Sequence, residues 1–271
     1  FAKFSFFKED SVIPDFVRQW FDSLLPIMLL IAGGWLIVQV AGVDVAGAVQ
    51  AVFMPLQSAL TSPVGFVFFC FLKCFIYSMG ISTWVLTPVD EPVKLAVITA
   101  NLELVAAGVA TYQNLGIFTE TFMFCTYLWI GGVGCTLSLC LLMMVICKSS
   151  ELKALGRACI VPGIFNINEP IIFGAIAWNP LLMLPMWIQG IILPIVTYIF
   201  TKVIPFAPIP RIQFDLWYCP YPISTFIATQ GSITGVIFAI LTFVLSAVIW
   251  FPFVKAYDDQ KVKEETAAIK A

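Results

Sequence analysis

The chain alternates between long apolar stretches and short polar breaks. Residues 23–41 carry no charge and only two polar side chains, Ser23 and Gln39. They form a first stretch long enough to cross a bilayer core of about 30 Å, which takes about 20 apolar residues. Residues 42–62 mix Gly, Pro, Ser and Thr with one acid, Asp44, and no base, and predict a loop on the outer side. A second apolar run, 63–82, is interrupted by Lys73, read as snorkelling or paired. Residues 83–101 hold Pro88, Asp90, Glu91, Pro92 and Lys94 and read as too polar and proline-broken to face lipid. Residues 121–147 are 27 uncharged positions, the clearest span, in which Gly131, Gly132 and Gly134 are expected to permit close helix contact. Lys148, Lys153 and Arg157 place the loop 148–157 in the cytoplasm, where basic residues concentrate. A further span is predicted at 181–204, and five prolines (Pro205, Pro208, Pro210, Pro220, Pro222) mark 205–222 as an extended crossover. The last apolar stretch, 223–254, begins with Ser224, Thr225, Thr229, Gln230 and Ser232, which suggest a second re-entrant piece. Residues 1–22, with Lys3, Lys8 and Arg18 among aromatics, read as an amphipathic connector at the membrane surface. The tail 255–271, with Lys255, Lys261, Lys263 and Lys270 among four acids, reads as solvated, helix-prone and cytoplasmic.

Residues 158–180 break this pattern. Hydropathy makes them one membrane segment, yet Pro170 removes a backbone donor and clashes one turn back, and it biases Glu169 away from the helical region. Each apolar half is about eight residues, roughly 12 Å of helix, so neither half crosses alone. A re-entrant hairpin fits, with Asn166 to Glu169 at its tip. Irregular backbone at membrane depth is tolerated only where it lines a cavity or is buried in protein, which makes the tip a candidate site.

Composition sharpens the class. The chain is 61% hydrophobic and 11% charged, against about 25% charged in soluble domains. No Lys or Arg lies between Arg18 and Lys73 or between Lys94 and Lys148, and Glu169 is the sole ionisable acid or base between Arg157 and Lys202. The pattern is that of an all-α integral membrane protein, a multi-span bundle with one or more re-entrant hairpins, whose embedded part is 23–254. The net charge of −2 is uninformative about nucleic acid, but there is no basic run to bind it, so no nucleic-acid partner is expected. Most of the eight cysteines sit in apolar runs, and no Cys-x-x-Cys pair occurs; they act as small apolar residues, not as a disulfide framework or metal site. There is no histidine, which removes the commonest proton relay and phosphoryl acceptor. The chain opens on Phe1 and reads as a fragment, or as a frame whose first part is missing.

A carboxylate within a membrane segment costs several kcal/mol, so Glu169 is the sharpest candidate. With the flanking Asn166 and Asn168 it offers the donors and acceptors that sugar hydroxyls need, and no Arg or Lys adjoins it in sequence to suit an anionic substrate. Capping of a half-helix by its charge is the structural alternative. Glu103, Asn101 and Glu120 read first as interfacial groups. Trp84 and Trp217 could stack on sugar faces, although tryptophan is common at membrane interfaces.

Val161-Pro-Gly-Ile-Phe-Asn-Ile-Asn-Glu-Pro-Ile-Ile-Phe-Gly174, followed by Asn179-Pro180, resembles the lactose/cellobiose family of phosphotransferase-system IIC subunits. The run Ile130–Leu137, the loop Lys148–Gly156, the exit Phe251–Lys255 and the opening Phe21–Pro26 are similar too, so the resemblance covers nearly the whole chain. Family members are longer, with N-terminal helices that form a dimer interface. The resemblance implies a homodimer where those helices are present, re-entrant hairpins around a central sugar site, and a bacterial plasma-membrane location. It also implies that Glu169 contacts sugar hydroxyls, with Asn166 and Asn168 shaping the tip. Where the family has Gly-Ile-His-Gly, with the histidine at the sugar, this chain has Gly80-Ile-Ser-Thr83. The expected substrate-binding set is therefore Glu169, Asn166, Asn168, Ser82, Thr83, Asn101 and Trp217, with no catalytic, cofactor or metal residues. The implied function is binding and translocation of a β-linked disaccharide such as cellobiose or lactose. A IIB partner, served by IIA, would phosphorylate it. The alternatives are an inactive remnant or structural partner of such a permease, an ion-coupled carrier, which would need a titratable or cation-coordinating cluster, and a membrane enzyme, for which no metal-ligand set or paired catalytic acids appear.

Overall fold

The computed structural model describes residues 15–44, 48 and 56–270, and no strand occurs among them. The chain divides into two compact units, Phe1–Val52 and Phe53–Ala271. In the first, helix α1 (Asp15–Trp35) continues into a wider π turn, Leu36–Val40. Its apolar side chains, among them Leu30, Ile31, Trp35 and Val40, are exposed. The helix passes unbroken through residues 22 and 23, where a surface segment was expected to give way to a span. Residues 1–14 of that segment, and 45–47 and 49–55 of the expected loop, lie outside the described residues.

The second unit is a helical assembly whose elements start where the sequence supplies caps. Helix α2 (Pro63–Ser78) has proline at its first position and Ser62 before it, whose Oγ accepts from Gly65 N at 3.0 Å; both features satisfy or dispense with orphan donors. A turn and a short 3-10 segment, Thr83–Leu86, lead to α3 (Thr87–Ala106). The prolines expected to break 83–101 lie in the first two turns of α3, Pro88 at the start and Pro92 one turn later, so little of its bonding is lost. Thr119 caps α4 (Glu120–Cys125), its Oγ1 accepting from Phe122 N at 3.1 Å.

The expected span 121–147 is not one helix. Between α4 and α5 (Leu137–Ile146) the backbone of 126–136 is irregular and buried. Gly131, Gly132 and Gly134 take positive φ, of 83°, 94° and 88°, which favours glycine. Hydropathy registered only that the segment is uncharged. Close helix contact is made by other glycines: a Cβ on Gly190 would lie 2.9 Å from Phe71 Cα, and one on Gly156 would lie 2.9 Å from Cys140 O.

Ser149 caps α6 (Ser150–Ile164), which ends at a tight turn with Asn166 at φ 61°. A single helical turn, α7 (Glu169–Ile171), opens into a π turn, Ile172–Ile176, before α8 (Pro180–Tyr198), capped by Asn179. Residues 205–222 hold no helix, as the prolines predict. The short α9 (Ile223–Ala228) is separated by Gln230 and Gly231, both at positive φ, from α10 (Ile233–Lys270). Helix α8 packs on α2 and on α10, and α10 also packs on α5, which packs on α6. Phe66, Phe118, Phe122, Trp129, Leu139 and Trp250 are in the buried core. Trp20–Val40, Pro180–Val203 and Ile233–Ala268 are long and apolar enough to cross a membrane.

Helix α10 does not end at 254, and the expected solvated tail is partly engaged. Asp258 is buried and accepts from Lys148 N and Ser149 N at 2.8–2.9 Å. Glu265 accepts from Ser149 Oγ at 2.6 Å and Glu151 N at 3.0 Å, and Lys261 pairs with Glu151 at 3.1 Å. The far end of 150–179 meets the same stretch of α10, across a cleft lined by Trp178, Asn179, Tyr257, Gln260 and Lys261. Both ends of the segment therefore lie at the tail of α10, and the chain reverses at Asn166–Glu169.

Candidate functional site

The reversal points into a pocket of about 110 Å³, open at its mouth. Five parts of the chain wall it: Lys73 and Tyr77 from α2; Thr83, Trp84, Thr87, Glu91 and Lys94 from the 3-10 turn and α3; Glu120, Phe124, Gly132 and Val133 from the broken segment; Asn166, Asn168 and Glu169 from the tip; and Trp217 from the crossover.

The tip and the glycine segment complete each other. Asn166 Oδ1 accepts from Gly131 N at 2.7 Å, and its Nδ2 donates to the carbonyls of Trp217 and Cys219. Asn168 Nδ2 donates to Val133 O at 2.9 Å, and its Oδ1 accepts from Tyr77 OH at 3.3 Å. The two amides thus supply partners that a helix would have given residues 131–133, and they tie the crossover at Trp217 to the tip. Approach is close: a Cβ on Gly132 would stand 2.4 Å from Asn168 Cγ. With their amides so employed, Asn166 and Asn168 shape the pocket. Glu169, the next residue, is exposed toward it beside Tyr77, and among the described residues it forms no ion pair.

Opposite the tip lies an ion network that sequence reading did not assemble. Lys73 Nζ is 2.6 Å from the fully buried Asp90 and sits over the rings of Phe69 and Phe124 at 5.2 and 5.4 Å. Lys94 Nζ is 3.5 Å from Asp90, 2.8 Å from Glu91 and 2.6 Å from Glu120. Lys73 is therefore paired, and two lysines stand in the wall of a site that adjoins none in sequence. The signal was present in the i, i+3 and i, i+4 spacing of Glu91, Asp90 and Lys94, charges placed on one helix face. The link from Lys73 to α3 is tertiary and left no mark.

Of the expected residues, Glu169, Asn166, Asn168, Thr83 and Trp217 come together at the pocket. Two lie outside its lining. Both amide atoms of Asn101 are bonded to the backbone of Gly116, at 2.7 and 2.8 Å, bracing a loop away from the pocket. Ser82 is exposed outside the lining, and its Oγ caps the 3-10 turn by accepting from Trp84 N at 3.4 Å. Trp84, Thr87, Tyr77 and Glu120 join the wall instead.

A helical bundle with exposed apolar side chains, whose interrupted segments meet around a pocket lined by charged and amide side chains, has its irregular backbone where a membrane protein tolerates it. The chain matches the family profile described as phosphotransferase system, EIIC, over residues 6–190, and it belongs to that family of membrane proteins. It is 33% identical over 261 residues to the PTS system lactose-specific EIICB component of Lactococcus lactis subsp. lactis, covering 93% of this chain and 44% of that protein. It is 32% identical over 262 residues to the PTS system cellobiose-specific EIIC component of Geobacillus stearothermophilus, covering 94% and 57%. Among solved structures it resembles the transporter ChbC, the IIC component from the N,N'-diacetylchitobiose-specific phosphotransferase system, with a TM-score of 0.73 and 30% identity, covering 96% of this chain and 61% of that one. The chain spans about half the length of these curated relatives.

Proposed function

We propose that this chain forms the sugar-binding part of the membrane component of a phosphoenolpyruvate-dependent sugar phosphotransferase system. The substrate is a β-linked disaccharide such as cellobiose or lactose, taken from outside and presented to a IIB partner, itself served by IIA, for phosphorylation. The observation that carries this reading is the placement of Glu169: an ionisable carboxylate at a chain reversal, aimed into a pocket whose neighbouring amides are already used in shaping it. Two sugar hydroxyls donating to one carboxylate form charge-assisted bonds, while Trp84 and Trp217 offer apolar faces to the rings. The relatives named for lactose and cellobiose support the substrate class, and the fusion of IIC with IIB in the lactose component supports the partner. The setting is the bacterial plasma membrane. The contact between the lysine-bearing loop at 148 and the tail of α10 supports a shared side for both, and their basic residues support the cytoplasmic one. The working form is a homodimer, as the resemblance implies where N-terminal helices are present.

The test is cellobiose and lactose binding to the purified protein. Glu169→Gln keeps the shape and removes the charge, and it should weaken binding by about tenfold or more, since a charge-assisted bond is worth about 1.5–3 kcal/mol and about 1.4 kcal/mol is a factor of ten. Wild-type affinity in a folded Glu169→Gln variant would show that the carboxylate only caps α7.

A further inference from the structure

We infer that the pocket is a charge filter that admits uncharged sugars and rejects anionic ones, including the phosphorylated product of the proposed reaction, so that phosphorylation itself drives release. The inference rests on the sugar-binding reading above. Its basis is the pairing within the wall. Two lysines in a wall would suit an anion, but neither of these offers free charge. Lys94 has three carboxylates within 3.5 Å. Lys73 is held at 2.6 Å by Asp90, which no solvent reaches, and is flanked by two aromatic rings. Against these two cations stand Glu91, Glu120 and Glu169 in the wall and Asp90 behind it, so the acids are formally two ahead. Glu169, which forms no ion pair among the described residues, is the acid a ligand meets uncompensated.

A neutral disaccharide gains from this arrangement, because its hydroxyls donate to carboxylates and donating to a charged acceptor is the stronger bond. A phosphate carries about −1.5 to −2 at pH 7. In a partly desolvated pocket it meets like charge at reduced dielectric, where repulsion is several times that in water. The ligand that arrives as a donor to Glu169 leaves as its electrostatic opponent.

The experiment is equilibrium binding of cellobiose, lactose and their 6-phosphates to the purified chain in lipid nanodiscs, at low and at 0.5 M salt. The expected result is a preference for the neutral sugar of about tenfold or more at low salt, shrinking as salt screens the repulsion. Glu91→Gln, at a half-exposed side chain where folding is not at risk, leaves Lys94 one partner short. It should narrow the preference several-fold by improving phosphate binding. Glu169→Gln should narrow it as well, by weakening the neutral sugar and admitting the phosphate. Steric rejection would answer to neither salt nor Glu91→Gln, and a preference unmoved by both overturns the filter. Equal affinity for the phosphorylated and neutral sugars overturns it too, while leaving the sugar site standing. Binding of neither overturns the sugar-site reading and the filter with it.

Discussion

Gly132 shows how much of the pocket hangs on a single residue. Its φ of 94° is one that L side chains rarely adopt, and the space where a Cβ would go is filled by the Asn168 side chain, 2.4 Å away. Gly132→Ala therefore meets two penalties, about 1–2 kcal/mol for the left-handed backbone and a clash relieved only by breaking the bond from Asn168 to Val133. The expected loss is about 2 kcal/mol or more, seen as a fall of roughly 4–8 °C in thermal midpoint at about 2–4 °C per kcal/mol, together with loss of sugar binding. Gly34 is the control. No atom lies within 4 Å of its Cβ position and its φ is ordinary, so Gly34→Ala in helix α1 should leave the midpoint unchanged or slightly raised. A midpoint in Gly132→Ala equal to wild type would mean the tip and the glycine segment are not locked together.

At the scale of elements, the hairpin was legible and the segment it docks on was not. Pro170, Asn166 and Asn168 carry their meaning locally: a residue that cannot extend a helix, and polar side chains with no place on a lipid-facing surface. The run Ile130–Leu137 is apolar throughout, and its glycines serve equally as helix contacts or as left-handed turns. The decision between them is made by Asn166 and Asn168, 35 residues away along the chain. Likewise the bonds from Asn101 to the backbone of Gly116, 15 residues on, left no mark in the sequence. The hairpin makes its own forecast. Glu151 and Trp178 are exposed at opposite ends of the 150–179 segment, yet both adjoin the tail of α10. Glu151→Cys and Trp178→Cys should react with a membrane-impermeant thiol reagent from the same side of the membrane. Labelling from opposite sides would mean the segment spans rather than returns.

At the scale of the whole molecule, the pocket is governed from a distance by α10. Its tail holds the first turn of α6 through Asp258 and Glu265, and α6 in turn carries the tip. Asp258→Ala leaves the buried Ser149 N–H without its acceptor, at a cost of about 1–3 kcal/mol. Hydrogen exchange at residues 148–152 should accelerate correspondingly, while the α2–α8 contact keeps its protection. Equal acceleration in both places would mean the molecule opens as one unit rather than at this joint.

The amide bonds that join the tip to the glycine segment also impose an order on synthesis. Residues 126–136 leave the ribosome about 30 residues ahead of Asn166 and Asn168, which satisfy the N–H of Gly131 and the carbonyl of Val133. Until those side chains arrive, that stretch holds unpaired polar backbone that lipid does not accept. It must wait in the insertion channel or in water, and the pocket is assembled only after the second broken segment has been delivered.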